Sequence, residues 1–376
     1  MATASFTDSE CDAMREALAL VQQAFGLSEP NPRVGCVLVG NGWRASGHTQ
    51  AAGQAHAEVM ALRDARERGH DPRGATAFVT LEPCAHHGRT PPCCDALIEA
   101  GLARVVVATP DPFPQVNGDG IARLRAAGIQ VDTGLLAEEA RELNIGFFSR
   151  VKRGRPWLRM KIAASLDGRT ALANGRSQWI TGELARTDGH AWRRRAGAVL
   201  TGVGTVLEDN PRLDVRLVPT TRQPLRVLVD SRLDAPADAR LFAPPGDVLV
   251  YASALESSGG EARLAALRER GVEVVRKPGP ADKVDLAAML ADLAARGVNE
   301  LHVEAGHKLN ASLLRDGLVD ELLVYLAPRL IGLGREMAAF GPLTDLAEAM
   351  AFEFIDVQRV GADIRLRARP PHRAEF

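Results

Sequence analysis

Short apolar runs alternate with segments of helical periodicity along most of this 376-residue chain. Because each run can form a buried strand and each periodic segment a helix packed against it, the pattern predicts layered α/β structure. In the first half, strands are predicted over residues 34–39, 75–81 and 105–109, and helices over 56–68, 93–100 and 121–127. A capping box, Thr7-x-x-Glu10, predicts an earlier helix that runs to about residue 25, before Gly26.

The second half of the chain repeats this alternation. It predicts strands over residues 158–163, 198–202, 226–230, 248–251, 272–275 and 301–305, and helices over 183–195, 261–270, 286–296 and 309–315. Three later apolar runs follow at residues 321–327, 352–357 and 364–369, and the last two are not separated by a helical segment. This order favours a mostly parallel sheet with an antiparallel edge.

The chain is too long for one ordinary domain and suits two, each with its own core. The segment 150–156, Arg-Val-Lys-Arg-Gly-Arg-Pro, combines positive charge with glycine and proline and is predicted to be the linker. We therefore expect one domain over residues 1–149 and a second over residues 150–376. A basic connection of this kind is usually solvated, so we assign it no binding role.

Composition limits the partners and the compartment. The formal net charge is −1, whereas binding through many nucleic-acid phosphates usually requires a basic surplus. No apolar run approaches the length of a membrane span, and the acidic first ten residues do not resemble a signal peptide. The five cysteines are an odd number, which argues against a disulfide framework. We expect a cytoplasmic protein with neither a nucleic-acid nor a membrane partner.

Histidine, glutamate and cysteine residues cluster in the first half with the spacing of a zinc site. His56 and Glu58 begin a predicted helix, and Pro83-Cys84 and Cys93 follow. One imidazole and two thiolates give zinc three ligands and leave a position for water, which then loses a proton near neutral pH. Glu58 is close enough to move that proton without being a ligand, so we predict it to be the catalytic acid and base. The pattern is typical of zinc nucleobase deaminases.

Other interpretations of these residues remain open. A purely structural zinc would need four protein ligands and would leave Glu58 without a role. His86 or His87 could replace a cysteine ligand, although a role in shaping the loop or contacting substrate is favoured. Cys11 and Cys36 are expected in the core, and Cys94 is expected to pack away from the metal.

Two glycine-containing turns in the second half favour a nucleotide site. Thr201-Gly202-Val203-Gly204-Thr205 follows an apolar run, and Val303-Glu304-Ala305-Gly306 leads into a predicted helix. Glycine allows the backbone to approach a pyrophosphate, and a helix N-terminus attracts anions. Turns of this kind are common, so this signal alone is weak.

Longer motifs resemble the bifunctional deaminase–reductase family of bacterial riboflavin biosynthesis. In the first half these are Asn31-Pro32-x-Val34-Gly35-Cys36, Gly47-His48, Thr80-Leu81-Glu82-Pro83-Cys84-Ala85-His86-His87-Gly88-Arg89-Thr90-Pro91-Pro92-Cys93 and Asp111-Pro112-x-Pro114-x-Val116-x-Gly118-x-Gly120. In the second half they are Met160-Lys161-x-Ala163-x-Ser165-Leu166-Asp167-Gly168, Ser177-Gln178-Trp179-Ile180-Thr181, Thr205-x-x-x-Asp209-Asn210-Pro211 and Val303-Glu304-x-Gly306. The resemblance extends from Asn31 to about residue 369.

The resemblance implies a cytidine-deaminase-like α/β/α domain followed by a domain similar to dihydrofolate reductase that uses NADPH. In the first domain, the residues implied to face the substrate are Asn31, His48, Arg89 and Asp111. Arg89 suits a phosphate because guanidinium binds it in a fork. Phe113 departs from the asparagine often found in the family.

In the second domain, the resemblance implies two sets of residues. The cofactor would be lined by Ala163, Trp179, Thr205, Asp209, Ser231, Gly306, His307, Lys308, Leu309, Asn310, Ala311 and Ser312. The substrate would be lined by Lys161, Ser177, Arg193, Leu213, Arg216 and Glu304. Alternative roles are a core position for Trp179, a turn for Asp167, and a solvated surface for Arg193 and Lys161.

The implied chemistry joins the two domains. Zinc-dependent deamination of 2,5-diamino-6-(5-phosphoribosylamino)pyrimidin-4-one precedes NADPH-dependent reduction of the ribosyl group of 5-amino-6-(5-phosphoribosylamino)uracil to ribityl. The family also implies a homo-oligomer. The rival hypothesis is a nucleic-acid base deaminase joined to a non-catalytic nucleotide-binding domain, which the eight-residue gap between Cys84 and Cys93 and the near-neutral charge disfavour.

Overall fold

A computed structural model of the chain describes residues 6–88, 91–113, 117–253 and 260–376. By contacts the chain divides into two compact units, Met1–Arg153 and Gly154–Phe376. The second unit thus begins within the predicted linker, whose first residues, Arg150 to Arg153, are helical. None of the helices in these described ranges is long and apolar enough to cross a membrane.

The first unit is a five-stranded sheet with helices on both faces. Its strands are β1 (Gly35–Gly40), β2 (Trp43–His48), β3 (Thr76–Val79), β4 (Arg104–Val107) and β5 (Gln130–Thr133). Its α-helices are α1 (Asp8–Leu20), α2 (Ala57–Glu67), α3 (Cys93–Glu99), α4 (Asp119–Ala126), α5 (Ala137–Leu143) and α6 (Ile145–Arg153). The strand order is β2-β1-β3-β4-β5. β1 is antiparallel to both β2 and β3, whereas β3, β4 and β5 are parallel.

Side-chain alternation along β1 separates the two faces of this sheet. Val37 belongs to a buried cluster with Met14 and Ala17 of α1. Cys36, one position earlier, faces the opposite side, where its strand partner Gly47 lies against α2. The expected α/β/α layering is therefore confirmed, and Cys36 is a fully buried core residue as expected.

The second unit contains a nine-stranded sheet. The strands of this sheet and of a separate two-stranded sheet are β6 (Trp157–Ser165), β7 (Arg169–Leu172), β8 (Ala198–Gly202), β9 (Leu225–Val229), β10 (Val248–Ala252), β11 (Glu273–Arg276), β12 (Glu300–Val303), β13 (Glu321–Ala327), β14 (Gly334–Glu336), β15 (Glu353–Val360) and β16 (Asp363–Arg369). Its α-helices are α7 (Glu183–Arg195), α8 (Val203–Asp209), α9 (Gly260–Glu269), α10 (Leu286–Ala295) and α11 (His307–Arg315). The strand order is β11-β10-β9-β8-β12-β6-β13-β16-β15, and β7 pairs with β14 separately.

The predicted antiparallel edge is present. β13 pairs with β6 in parallel, whereas β16 pairs with β13 and β15 in antiparallel fashion. Helices cover both faces: Leu200 and Leu249 cluster with residues of α10, and Val199 and Val250 cluster with residues of α9. The carboxyl ends of the parallel strands thus meet along one edge, where ligands of such sheets bind.

Candidate active sites

The start of helix α2 positions two of the predicted residues of the first unit. His56 is the N-cap of α2, and Glu58 lies in its first turn. The helix packs closely on β2 because Gly47 has no side chain, and a Cβ there would lie 2.4 Å from Ala57 O and from Ala61 N. This close approach fixes where His56 and Glu58 lie relative to the sheet.

The cysteines of the motif meet His56 at this point. Cys84 follows β3, and Cys93 is the first residue of α3. His56 Nδ1 lies 3.2 Å from Cys93 Sγ and 3.7 Å from Cys84 Sγ. Candidate ligand atoms of all three residues lie within 4.8 Å of one another. This cluster has the size and the donor set of a zinc site with three protein ligands.

The electrostatics of the cluster suit a metal cation. Hydrogen bonds with Cys93 and, to a smaller extent, with His56 lower the pKa of Cys84 to about 4, against the opposing effect of burial. The backbone N–H of Cys93 also donates to Cys84 Sγ at 3.4 Å. One thiolate is therefore available before metal binds, and binding would release the proton held by Cys93.

Glu58 is buried beside these three residues, with 3% of its surface exposed. Burial raises the pKa of its carboxyl, and the nearby Cys84 adds to the effect. A raised pKa brings the carboxyl closer to the pH at which a catalytic acid and base works best.

A cavity of about 370 Å³ opens onto this cluster. Of the residues predicted to face substrate, Asn31 and Asp111 line it together with His56 and Glu58. His48 ends β2 and is not among the lining residues, although its neighbour Thr49 is. Arg89 lies outside the described residues. Burial raises the pKa of Asp111 to about 7, so this side chain can either donate or accept a hydrogen bond near neutral pH.

Two residues of this cavity have contacts that sequence reasoning did not supply. Phe113 packs against the His86 ring, with ring centroids 6.4 Å apart, where a polar residue was expected. Arg150 also lines the cavity, although its segment was predicted to be a solvated linker. The sequence lacked a signal for Arg150 because a basic residue before Gly and Pro is common in linkers.

Glu82 connects the metal cluster to the Asp111 loop. Its Oε2 accepts from the N–H groups of Asp111 and Gly118, at 3.2 and 3.0 Å. Its Oε1 accepts from those of Gly120 and Ile121, also at 3.0 and 3.2 Å. Because Glu82 precedes Cys84 by two residues, a single buried carboxylate ties the ligand segment to the loop and to the start of α4.

Of the cysteines outside the motif, Cys36 and Cys94 are buried as expected, whereas Cys11 is half-buried rather than a core residue. Cys94 is fully buried, and its thiol donates to Pro83 O at 3.3 Å. Cys11 packs at the edge of the α1 cluster. Within the described residues, His56, Cys84 and Cys93 form the sole group of three or more potential ligands.

Two cavities lie at the carboxyl edge of the sheet in the second unit. The first, of about 380 Å³, is lined by Lys161, Ala163, Ser177, Trp179, Arg193, Thr205, Asp209, Leu213, Arg216, Glu304, His307 and Asn310, among others. The second, of about 890 Å³, is lined by Thr205, Ser231, Gly306, His307, Lys308, Leu309 and Ser312, among others. Of the residues predicted for this unit, Ala311 lines neither cavity and is fully buried on α11.

A cluster of charged side chains borders the smaller cavity. Lys161 Nζ lies 3.7 Å from Glu304 Oε2, and Arg193 donates to both oxygens of Glu304, to Oε2 at 2.9 Å. Burial lowers the pKa of Lys161, an effect that Glu304 opposes. Burial also disfavours the ionised form of Glu304, but Arg193 and Lys161 outweigh it and hold its pKa well below the usual range. Glu304 is therefore an anion that orients a half-buried ammonium.

The two arginines implied to line the substrate in this unit occupy different settings. Arg193 is bonded to Glu304 and to Asp214 O at 2.9 Å, so it is held inside the protein rather than on a solvated surface. Arg216 is exposed and paired with Asp214 at 2.6 Å, and Arg212 pairs with the same carboxylate at 3.0 Å. Arg212 also lines the cavity and was not predicted.

Trp179 and Arg159 are also placed by the structure. Trp179 is 59% exposed, with the Arg186 guanidinium 4.7 Å from its ring centroid, so it is not a core aromatic. Arg159 is fully buried and paired with Glu300 and Glu321, each at 2.8 Å. Arg159 thus belongs to the core of the unit rather than to a ligand site.

Two family models match the chain. The cytidine and deoxycytidylate deaminase zinc-binding region matches residues 7–109, and the RibD C-terminal domain matches residues 156–366. The riboflavin biosynthesis protein RibD of Escherichia coli is 44% identical over 369 residues, which cover 94% of this chain and 97% of that protein. RibD of Aquifex aeolicus is 40% identical over 352 residues, or 93% and 96% of the two chains.

Solved structures agree with these matches. Acinetobacter baumannii RibD, form 1, superposes with a TM-score of 0.86 at 39% identity and covers 96% of this chain and 98% of that one. A diaminohydroxyphosphoribosylaminopyrimidine deaminase/5-amino-6-(5-phosphoribosylamino)uracil reductase from Thermotoga maritima superposes with a TM-score of 0.85 at 34% identity, with the same coverage.

Proposed function

Because this chain belongs to the RibD family of riboflavin biosynthesis proteins, a family of bifunctional deaminase–reductases, we propose that its first unit deaminates 2,5-diamino-6-(5-phosphoribosylamino)pyrimidin-4-one and that its second unit then reduces the ribosyl group of the product with NADPH. The observation that carries the proposal is the convergence of His56, Cys84 and Cys93 beside the buried carboxyl of Glu58.

In the first unit, His56, Cys84 and Cys93 hold zinc, which their one nitrogen and two sulfur donors fit. Zinc held there would lower the pKa of a water molecule to near neutrality. Glu58 would move one proton from that water to a ring nitrogen and a second, from the hydroxyl group added to the ring, to the amino group that leaves as ammonia, a role that its raised pKa supports.

Four further residues orient the pyrimidine in this proposal. Asn31 and Asp111 line the cavity and offer hydrogen bonds to ring substituents. His48 and Arg89 are assigned to the substrate on the family resemblance, Arg89 as a phosphate ligand. The rival hypothesis was a nucleic-acid base deaminase whose second domain is not catalytic. The family assignment argues against it.

In the second unit, the smaller cavity receives the ribosylaminouracil. Lys161, oriented by Glu304 at 3.7 Å, supplies a proton as the ribose ring opens and its C1 becomes electrophilic. Arg216, with Ser177 and Leu213 nearby in the same wall, binds the phosphate end. Arg193 holds Glu304 in its ionised form through two hydrogen bonds.

The larger cavity receives NADPH, which supplies the hydride when bound. Five cationic side chains, Arg232, Lys283, Lys308, Arg315 and Arg335, outnumber the four carboxylates in its wall and complement a phosphate-bearing dinucleotide. Thr205 and His307 line both cavities, so the two ligands would meet there. Of the other residues implied for the cofactor, Ser231, Gly306, Lys308, Leu309 and Ser312 line the larger cavity, whereas Ala163, Trp179, Asp209 and Asn310 line the smaller one.

A coupled assay tests both activities. Purified protein with the diaminopyrimidine ribosyl phosphate should release ammonia without NADPH and should consume NADPH only after deamination. Glu58→Gln should lower the rate of ammonia release by about 10²–10⁴-fold, because the proton transfer is lost, and should still reduce the deaminated intermediate. Glu67→Gln, an exposed change on the same helix, is the matched control.

Two outcomes would contradict the proposal. Ammonia release that survives Glu58→Gln would remove that residue from the mechanism. NADPH that is never consumed, even with the deaminated intermediate, would leave the second unit without its proposed reaction. Replacing NADPH with NADH in the same assay measures the cofactor preference.

We also propose a cytoplasmic homo-oligomer. A reducing compartment keeps Cys84 and Cys93 available as ligands. The edge strand β15 exposes Phe354 and Val357, to 70% and 59%, which is consistent with a subunit contact.

A further inference from the structure

Arg150 is a cation in the wall of the deaminase cavity. It lies near the end of α6 and lines the same cavity as His56 and Glu58. Among the described residues that line this cavity, it is the one arginine or lysine. A guanidinium keeps its charge at every physiological pH, so the cavity carries a fixed positive charge in addition to the metal cluster.

The Arg150 side chain is held by other residues of the cavity wall. Its Nη2 donates to Pro30 O at 3.0 Å. Its guanidinium carbon lies 5.6 Å from the centroid of the Phe147 ring, within the range of a cation–π contact. Because Pro30 and Phe147 also line the cavity, these contacts orient the guanidinium as part of the wall.

The carboxylates of Glu82 and Glu29 near Arg150 each have other partners. The carboxylate of Glu82 lies in the same cavity, but both of its oxygens accept backbone N–H groups. Burial lowers the pKa of Arg150, and Glu29 opposes this effect from nearby. Glu29 lies 3.5 Å from Arg33, which shares its charge. A partly desolvated guanidinium interacts more strongly with an anion than a solvated one does.

We propose that Arg150 binds the phosphate group of the deaminase substrate and makes this site prefer the phosphorylated compound to its dephosphorylated form. The inference rests on the proposed deaminase function and adds to it the residue that selects the anionic end.

Steady-state deamination by the full-length, zinc-loaded protein tests the proposal. Two substrates are compared: the ribosylaminopyrimidine 5-phosphate and the same compound after phosphatase treatment. For Arg150→Met we expect kcat/KM with the phosphorylated substrate to fall by about tenfold or more, mainly through KM, because a charged hydrogen bond is lost. With the dephosphorylated substrate we expect kcat/KM to stay within about twofold of the unaltered protein.

Two further variants sharpen the test. Lys152→Met removes a positive charge from an exposed position of the same helix and should leave the preference for phosphate unchanged. Arg150→Lys keeps the charge but not the fork, and should retain an intermediate preference. It also serves as the deciding variant if Arg150→Met does not fold.

Either of two results would overturn the inference. Equal losses with both substrates would make Arg150 a structural residue of α6, and no loss with either would remove it from the site. A failure of the unaltered protein to release ammonia from the phosphorylated substrate would instead contradict the proposed function itself.

Discussion

At the scale of single residues, the buried carboxylate of Glu82 holds two separate backbone segments in place. It accepts four backbone N–H groups, two on each oxygen. These groups belong to the loop that carries Asp111 and to the start of α4. In the proposed reaction Glu82 would therefore be a positioning residue, which acts through the loop that carries Asp111 rather than by contact with reacting atoms.

Glu82→Gln tests this role with almost no change in volume. An amide has one oxygen, so two of the four N–H donors would face an NH₂ group and lose their acceptor. We expect the rate of deamination to fall by about 10–100-fold, as is typical when a partner of an active-site group is lost. The measurement is kcat and KM for ammonia release, together with the zinc content of the variant.

Two results would decide what Glu82 does. Full zinc content with reduced activity would support a positioning role, whereas loss of zinc would mean that Glu82 mainly holds the Cys84 segment. Glu99→Gln, at the end of the nearby helix α3, is the control and should leave both quantities unchanged.

The cluster of His56, Cys84, Cys93 and Glu58 could be proposed from the sequence because these residues are spaced within short segments. Arg150 and Arg212 could not, because their place in a cavity wall depends on how distant segments pack. The prediction that the segment from Arg150 is a solvated linker is wrong for Arg150. For Ala311 the sequence predicted too much. It lies in a segment implied to bind the cofactor, but its position on the helix faces the core.

At the scale of elements, helix α2 depends on the absence of a side chain at Gly47. A Cβ at this position would meet the backbone of α2 at 2.4 Å and Met60 Cβ at 2.6 Å. Backbone cannot move aside as the end of a flexible side chain can. The helix would therefore have to shift as a body, and it carries both His56 and Glu58.

Gly47→Ala should damage the site more than the fold. Overpacking costs about 1–3 kcal/mol of stability, and the displaced helix should lower both zinc affinity and deaminase activity. Zinc affinity measured by competition with a chromophoric chelator checks this. Gly42→Ala is a control for steric clash, since a Cβ there would meet no atom within 4 Å. The positive φ of Gly42 makes that change strained as well, so it shows the effect of backbone strain without a clash.

Reductase activity in Gly47→Ala gives the opposing outcome. Because Gly47 belongs to the first unit, NADPH oxidation with the deaminated intermediate should be unaffected. Normal zinc affinity in the variant would show that α2 tolerates the extra atoms.

Apolar periodicity predicted most of the elements but missed those without it. β2, with the sequence Trp-Arg-Ala-Ser-Gly-His, has no apolar run and forms because β1 offers it an edge. α8 follows β8 immediately, and its seven residues were interpreted as a glycine turn. α5 and α6 were also missed; α6 has regularly spaced apolar residues, but its last residues had been assigned to the linker. Glu183–Arg195 and Ala198–Gly202 were predicted with the observed bounds.

At the scale of the whole molecule, each unit has its own hydrophobic core and its own candidate chemistry. The residues that would hold zinc all belong to Met1–Arg153. The two cavities proposed for the reductase are lined entirely by residues of Gly154–Phe376. Conditions that affect the metal should therefore act on one unit and spare the other.

Removal of zinc should lower the unfolding temperature of the first unit alone. A ligand that binds the native state stabilises it by about 2.7 kcal/mol when its free concentration is 100 times its Kd. Differential scanning calorimetry with and without a chelator should show one transition that moves and one that does not. His56→Ala should unfold at the same temperature under both conditions, and equal shifts of both transitions in the unaltered protein would contradict the prediction.

The pairing of β6 has a consequence for the time at which each activity can arise. β6 is the first strand of its unit, yet it lies between β12 and β13, and its Arg159 bonds to Glu300 and Glu321, 141 and 162 positions later. At a synthesis rate of about 5–20 residues per second, this strand waits on the order of ten seconds for its neighbours. The strand that carries Lys161 thus gains both of its neighbouring strands only near the end of translation, after every strand of the first unit has been made. A nascent chain would possess the means of deamination before those of reduction, in the same order in which the pyrimidine would need them.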